Sequence, residues 1–297
     1  LFILRLYRCY VSFRSSPRTI SEHLLKILYI SEIVGKAGLF AVKTLLPSLK
    51  KEKSIDLVIA NADGTTGGYG LGRNHAGYLR KLGVDVITTG DCCFYKKDLV
   101  QNFDRLPYIL RPINISPYAP GLGNRTYQAG SEKVAVAVLL GQSGFDRLHG
   151  DNPFIKLPEL LERLHRETPY VVLDFHAATT AEKKALFAQA DGLCSAVIGS
   201  HGRVMTADAQ ITTGGTAVIT DAGRTGSINS VGGTDPHSRI QEYLTGIPDW
   251  SRDAWDLIEL QGLMIDIAPN GKARAISPLQ IVCQEVPHEG DRKNSDD

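Results

Sequence analysis

The chain carries almost no charge imbalance. Its 33 basic and 32 acidic residues leave a net charge of +1 and are spread through the sequence, so no basic stripe forms of the kind a nucleic-acid groove needs. Large nucleic acid is therefore not expected as a partner, although a single nucleotide is not excluded. Cysteine is scarce and badly arranged for cross-linking. The five residues at 9, 92, 93, 194 and 283 are an odd number with one adjacent pair, which argues against a disulfide framework and for a reducing cytoplasm. No apolar run approaches the roughly 18 residues that a membrane span requires, so no membrane partner is expected. The opening Leu1-Phe2-Ile3-Leu4 is broken by Arg5 and Arg8 too early for a signal peptide. Internal repeats and low-complexity linkers are also missing.

What is present is ordinary globular content. The 297 residues are 43% hydrophobic, enough to close a sizeable core. Residues 1–25, Arg-rich and without an acidic residue before Glu22, are expected to form a poorly ordered extension. Residues 26–283 read as a single domain, and 284–297 as a polar tail.

From Lys26 onward, short β-branched runs alternate with helix-period segments, the pattern of crossover units in a largely parallel α/β sheet. Strands are expected at 27–30, 57–60, 84–89, 134–140, 170–173 and 196–198. Helices are expected at about 39–50, 74–82, 97–103, 157–166 and 181–190, with an early break or kink at Pro47. After residue 209 the pattern changes to short β-like pieces at 217–220, 263–267 and 275–282, which suggests a second sheet packed on the first.

The strand ends are the informative feature, because ligands gather at the carboxyl ends of strands in α/β sheets. The expected strands run into Ser31-Glu32, Asn61-Ala62-Asp63-Gly64, Gly90-Asp91-Cys92-Cys93, Asp174-Phe175-His176 and Gly199-Ser200-His201-Gly202-Arg203. Singly, such an acid caps the next helix and such a histidine is solvated. Five together point to a metal or acid/base site, and carboxylates mixed with imidazoles suit a divalent Mn, Fe or Zn ion. Two weaker signals stand apart. Gly141-Gln142-Ser143-Gly144-Phe145 fails as a nucleophile elbow because Phe145 occupies the last glycine position. The Gly67–Gly72 run lacks both dinucleotide spacing and a phosphate-loop lysine, and reads as a loop flanking a site.

At these loops the sequence resembles the calcineurin-like metallophosphoesterases, specifically the YmdB-type bacterial 2′,3′-cyclic-nucleotide phosphodiesterases. The family's loops read G-D-x-V-G, N-G-E-N, G-N-H-x-W-D, D-F-H-A-E and G-T-H-T-H, in the order in which Ser31–Gly35, Asn61–Gly64, Gly90–Tyr95, Asp174–Ala178 and Gly199–Arg203 occur here. Arg111-Pro112-Ile113-Asn114 resembles the family's R-P-A-N, and Thr206-Ala207-Asp208 follows the last motif. The resemblance implies an αββα sandwich, two packed sheets flanked by helices, that forms a homo-oligomer.

The departures fall on the chemistry. In the family, one ion is held at the positions of Glu32, Asp63, Gly64 and Arg203. Gly64 offers no ligand and Arg203 brings a permanent positive charge, so this site is expected to be lost, with Glu32 the weaker candidate ligand. Arg203 is expected to pair with Glu32 and Asp63 in place of the ion, or to bind substrate phosphate. The second ion's positions are Asp63, Asp91, His176 and His201, all able to ligate. Cys92 stands where the family has the histidine that protonates the leaving oxygen. A thiol of pKa about 8.5 is a poor substitute, and an inert Cys92 is the favoured reading. The resemblance thus implies a phosphodiesterase acting on a small nucleotide or phosphoester through metal-activated water. The alternative is a catalytically degenerate relative that binds a nucleotide or a protein partner.

Overall fold

A computed structural model describes residues 24–249 and 252–285. Most of the expected N-terminal extension and nearly all of the polar tail lie outside the described residues. Along the chain run β1 (Leu25–Ile30), β2 (Glu32–Ile33), α1 (Gly35–Lys53), β3 (Leu57–Asn61), α2 (Arg73–Leu82), β4 (Val86–Thr88), α3 (Lys97–Val100) and β5 (Ile109–Leu110). Then follow β6 (Asn124–Ala129), β7 (Glu132–Leu140), α4 (Pro153–His165), β8 (Tyr170–His176), α5 (Thr180–Ala190), β9 (Ala196–Ser200), β10 (Gln210–Ile211) and β11 (Ala217–Ile219). The chain closes with β12 (Arg224–Ser227), α6 (Pro236–Thr245), β13 (Ile258–Ile267) and β14 (Ala273–Val282).

Two sheets result. One has the order β2-β12-β13-β1-β3-β4-β5 with β14 paired to β13, and the other the order β10-β11-β9-β8-β7-β6. Strand alternation builds the layers, because successive side chains point to opposite faces. Leu25, Ile27 and Tyr29 of β1 share an interior cluster with Val134, Val136, Tyr170 and Val172 of the other sheet. Leu28 and Ile30, on the opposite face, pack with Leu39, Val42 and Leu46 of α1. On the far side, Ala135, Val171 and Leu173 meet Leu157, Leu161 and Leu186 of α4 and α5. Helix, sheet, sheet and helix are therefore stacked in an αββα sandwich, and strands covered on both faces read as continuous apolar runs.

Two sequence expectations are corrected. The second sheet does not begin after residue 209: it begins at β6, while β12, β13 and β14 return to the first sheet, where β13 pairs antiparallel with β1. Hydrophobic period reports that a strand is buried but not which neighbour it pairs with. Nor does Pro47 break its helix, since α1 runs from Gly35 to Lys53 with Pro47 inside it. Leu46 and Leu49 on either side are buried against the sheet, and this packing holds the turn together despite the amide that proline lacks. The expected helix at 97–103 ends at Val100, and a separate 3-10 turn covers Phe103–Arg105. Among the described residues, no helix is long and apolar enough to cross a membrane.

The parallel strands present their carboxyl ends along one edge, and this edge is closely packed. A Cβ at Gly199 in β9 would lie 1.9 Å from the Thr220 carbonyl oxygen. Gly199→Ala must therefore push backbone apart, and a loss of about 1–3 kcal/mol in chemical denaturation is expected. An unchanged midpoint would show that β9 and the segment after β11 are looser than this packing implies.

Candidate metal centre

Four strand ends bring four ligating side chains to neighbouring positions, with Asp91 shared between Asp63 on one side and His176 and His201 on the other. Asp63 follows β3, Asp91 follows β4, His176 ends β8 and His201 follows β9, so each sheet contributes two. Asp63 and His176 are buried, whereas Asp91 and His201 are partly accessible. The imidazole of His176 lies against the backbone at residue 90. A Cβ there would sit 2.2 Å from the ring, which only glycine avoids.

Asp91, His176 and His201 offer ligand atoms close enough together to share one ion, while Asp63 groups with Asp91 and Cys92 at its edge. His176 Nε2 lies 2.8 Å from Asp91 Oδ1 and 3.8 Å from Asp63 Oδ2. His201 Nδ1 lies 3.2 Å from His176 Nε2 and 3.3 Å from Asp91 Oδ1. Ligands held about 2.0–2.2 Å from a tetrahedral ion stand roughly 3.3–3.6 Å apart, within the range these separations span. Asp63 is fixed independently, because the amides of Gly90 and Cys92 donate to its two oxygens at 2.6 and 3.0 Å.

The tautomer of His176 follows from its partners. Ser200 Oγ donates its one proton to Asp174 Oδ1 at 2.6 Å, so at 3.0 Å it can only accept from His176 Nδ1. The Nδ1 proton is thereby retained, and the lone pair of the neutral ring is directed through Nε2 toward the cluster. Asp174 is in turn held by Tyr29 Oη at 2.8 Å, Asn61 Nδ2 at 3.1 Å and Thr88 Oγ1 at 2.5 Å. Phe145 covers the outer side, stacked on His176 at 5.9 Å and edge-on to His201 at 5.0 Å. Sequence reasoning assigned no role to Tyr29, Thr88, Ser200 or Phe145. The only available signal was the failed elbow at residues 141–145, whose final Phe145 is this cover.

Protons occupy the cluster in the absence of a cation. Burial pushes the Asp63 carboxyl up to about 7; His176 opposes the rise, and Asp91 and Glu32 add to it. Burial pulls His176 down, but its hydrogen bond to Asp91 and the charges of Asp63, Asp91 and Glu32 outweigh this and hold it up at about 9. Asp91 is raised by burial and lowered more by its bonds to His176 and His201, so it stays ionised.

Beside this cluster, Arg203 pairs with Glu32. Its Nε and Nη2 lie 2.9 and 2.7 Å from Glu32 Oε1. Nη2 also donates to the Gly68 carbonyl at 2.8 Å, and Nη1 to that of Gly232 at 3.2 Å. The other oxygen, Glu32 Oε2, is buried with no hydrogen-bond partner among the described residues. Residue 64 must be small for this pair to form, since a Cβ there would lie 2.8 Å from Arg203 Nη2 and 2.9 Å from Glu32 Oε1. The loop carrying Arg203 is strained, with positive φ at His201 (92°) and Arg203 (57°). The buried Lys183–Asp221 pair at 3.0 Å anchors it, because Asp221 also accepts from the Gly202 amide at 2.7 Å. Cys92 Sγ lies 3.6 Å from Asp91 Oδ2. Burial, then the charges of Asp63, Asp91 and Glu32, drive its thiol far above the ordinary range, so it remains protonated.

Two outcomes follow. An ion must displace the His176 proton below about pH 9 and the Asp63 proton below about pH 7, so metal affinity rises with pH through both values. Calorimetric titration at pH 6 in buffers of different ionisation heat should show protons released on binding, with less release at pH 8. Binding without proton release would remove these residues from the ligand set. Separately, Gly64→Asn alone is expected to cost about 1–3 kcal/mol by colliding with Arg203. In the double variant with Arg203→His much of that cost should vanish, and additive effects in the cycle would refute the coupling.

Comparison with known proteins shows the family of the chain. A family model described as YmdB-like protein matches residues 28–279. The chain is 36% identical over 243 residues, 82% of its length and 91% of the relative's, to a 2′,3′-cyclic-nucleotide 2′-phosphodiesterase from Bacillus subtilis (strain 168). A hypothetical protein from Thermus thermophilus superposes with a TM-score of 0.81 at 32% identity, covering 87% of this chain and 99% of that one. A novel phosphatase from Mycoplasma pneumoniae also gives 0.81 at 32% identity, covering 88% and 94%. With the sandwich, the order of its five loops and a family match over most of its length, the chain belongs to the YmdB-like family of calcineurin-like metallophosphoesterases.

Proposed function

We propose that the chain is a metal-dependent phosphodiesterase acting on 2′,3′-cyclic nucleotides, with one divalent transition ion (Mn, Fe or Zn) held by Asp63, Asp91, His176 and His201. The observation that carries this reading is the cluster of Asp91, His176 and His201, drawn from both sheets with Asp63 beside it, in which the His176 lone pair is aimed inward by the Ser200–Asp174 relay. The named activity of the Bacillus subtilis relative supports the substrate class. A bound ion would supply Lewis-acid polarisation of the phosphoryl oxygen and a water of lowered pKa.

The residues divide the remaining work. Asp91, ionised even without a cation, and Asp63 give the site its negative charge. Phe145 covers the two imidazoles and keeps bulk water from competing for them. Arg203 takes the place of the second ion's charge beside Glu32. It donates hydrogen bonds but cannot lower the pKa of a water, so it replaces the electrostatics of that ion and not its chemistry. Cys92, held protonated, is a poor proton donor to the leaving ribose oxygen, which must then take its proton from solvent. Loss of a positioned general acid typically removes about 10²- to 10⁴-fold in rate. The alternative of a catalytically degenerate binding protein finds no support among the relatives.

Purified protein should hold roughly one equivalent of transition metal and turn over a 2′,3′-cyclic nucleotide. His176→Ala should lose both metal and turnover while remaining folded by circular dichroism. Folded wild-type protein that binds no Mn, Fe or Zn and releases no product would defeat the reading.

A further inference from the structure

Beside Asp91 opens a cleft of about 610 Å³, in the range of small-molecule sites and large enough for a whole nucleotide. Its lining is unlike the metal cluster. Tyr69, Phe94 and Tyr95 supply aromatic wall, while Lys96 and Arg147 supply positive charge. Arg203 has little left to offer a substrate there, because Glu32, Gly68 and Gly232 take most of its five N–H groups. Arg147 is differently placed. The residue is exposed and its guanidinium lies over the Tyr95 ring at 5.5 Å, a cation–π contact for a group able to bind phosphate oxygens in a bidentate fork. It also follows Phe145 by two residues, so the side chain that covers the ligand imidazoles anchors the loop that presents Arg147.

We propose that Arg147, seated on Tyr95, is the residue that binds the phosphoryl anion of a nucleotide-sized phosphoester in this cleft. This proposal rests on the phosphodiesterase reading above and names the substrate-side contact that Arg203 cannot make. Tyr95 acts as a positioning residue for Arg147, and the aromatic wall accommodates the base.

The test uses metal-loaded protein with two probes, inorganic phosphate and adenosine 3′-monophosphate, measured by calorimetry alongside metal content and steady-state kinetics. Arg147→Gln should weaken both probes by about 10- to 100-fold, the scale of a charge-assisted hydrogen bond. KM should rise while metal content stays at the wild-type level. Arg147→Lys should recover the charge without the stacked fork and fall between the two. Tyr95→Leu should weaken binding several-fold through loss of the platform. Wild-type affinity for both probes in Arg147→Gln overturns the proposal, and so does loss of metal in that variant, which would make the residue structural. The two readings fail separately. Arg147-dependent binding of adenosine 3′-monophosphate without turnover of the cyclic nucleotide retains the phosphoryl contact and defeats the activity. Turnover indifferent to Arg147→Gln does the reverse.

Discussion

The carboxylate of Asp174 is the fixed point on which the site depends. It is buried at the end of β8 and accepts hydrogen bonds from Tyr29 on β1, Asn61 on β3, Thr88 on β4 and Ser200 at the end of β9. Three of these donors belong to one sheet and the fourth to the other, so a single charge ties both sheets together along the edge where the loops emerge. An uncompensated carboxylate at that depth would be very costly, whereas one with four donors is satisfied and rigid. The same arrangement directs Ser200 to accept from His176, so the bond that joins the sheets also sets the imidazole tautomer. Burial and the neighbouring Asp174 raise the Tyr29 hydroxyl well above its ordinary value, and it remains a donor at any physiological pH.

The Arg203–Glu32 pair is a second constraint, and it joins Glu32, Gly64 and Arg203 into one arrangement. A guanidinium fits only because residue 64 lacks a side chain, and its burial is tolerable only because Glu32 and two backbone carbonyls receive its donors. Removing one member of a buried pair strands the other at a cost of about 3–5 kcal/mol. The pair thus ties the loop that carries Arg203 to the first sheet at Glu32 in β2. The strained conformation at His201 and Arg203 is tolerated for a related reason, since Lys183 and Asp221 hold the intervening Gly202 from beneath.

Much of this was legible in the sequence because strand ends carry their own chemistry. Position after β-branched runs places Glu32, Asp63, Asp91, Asp174, His176 and His201 among the candidates, and the family resemblance singles out Asp63, Asp91, His176 and His201 and marks Arg203 as a permanent cation in a ligand position. The supporting contacts were not legible. Tyr29 and Asp174 are 145 positions apart, and Thr88 and Asp174 are 86 apart. In the sequence Tyr29 and Thr88 are simply strand residues of the usual type. Phe145 was hidden for the same reason, its role being defined only by the two imidazoles it meets. The assignment of strands to sheets also escaped, because burial on both faces looks alike in either sheet. Helix α6 was not picked out although Ile240, Tyr243 and Leu244 stand at helical spacing, and none of its residues is buried.

The two cationic positions of this site now differ in kind, and the difference has a chemical consequence on the phosphodiesterase reading. A metal position responds to pH and to chelation, because its ligands must lose protons before they bind. The arginine position does neither, since Glu32 outweighs burial and keeps the Arg203 guanidinium protonated at every accessible pH. Loss of the metal would therefore remove the source of a nucleophile while leaving the charge beside Glu32 intact. The loop architecture and the cleft would then persist in the metal-free protein, which remains able to bind an anionic ligand through the exposed Arg147. On that reading binding and turnover are separable, because Arg203 supplies a charge that chelation does not remove.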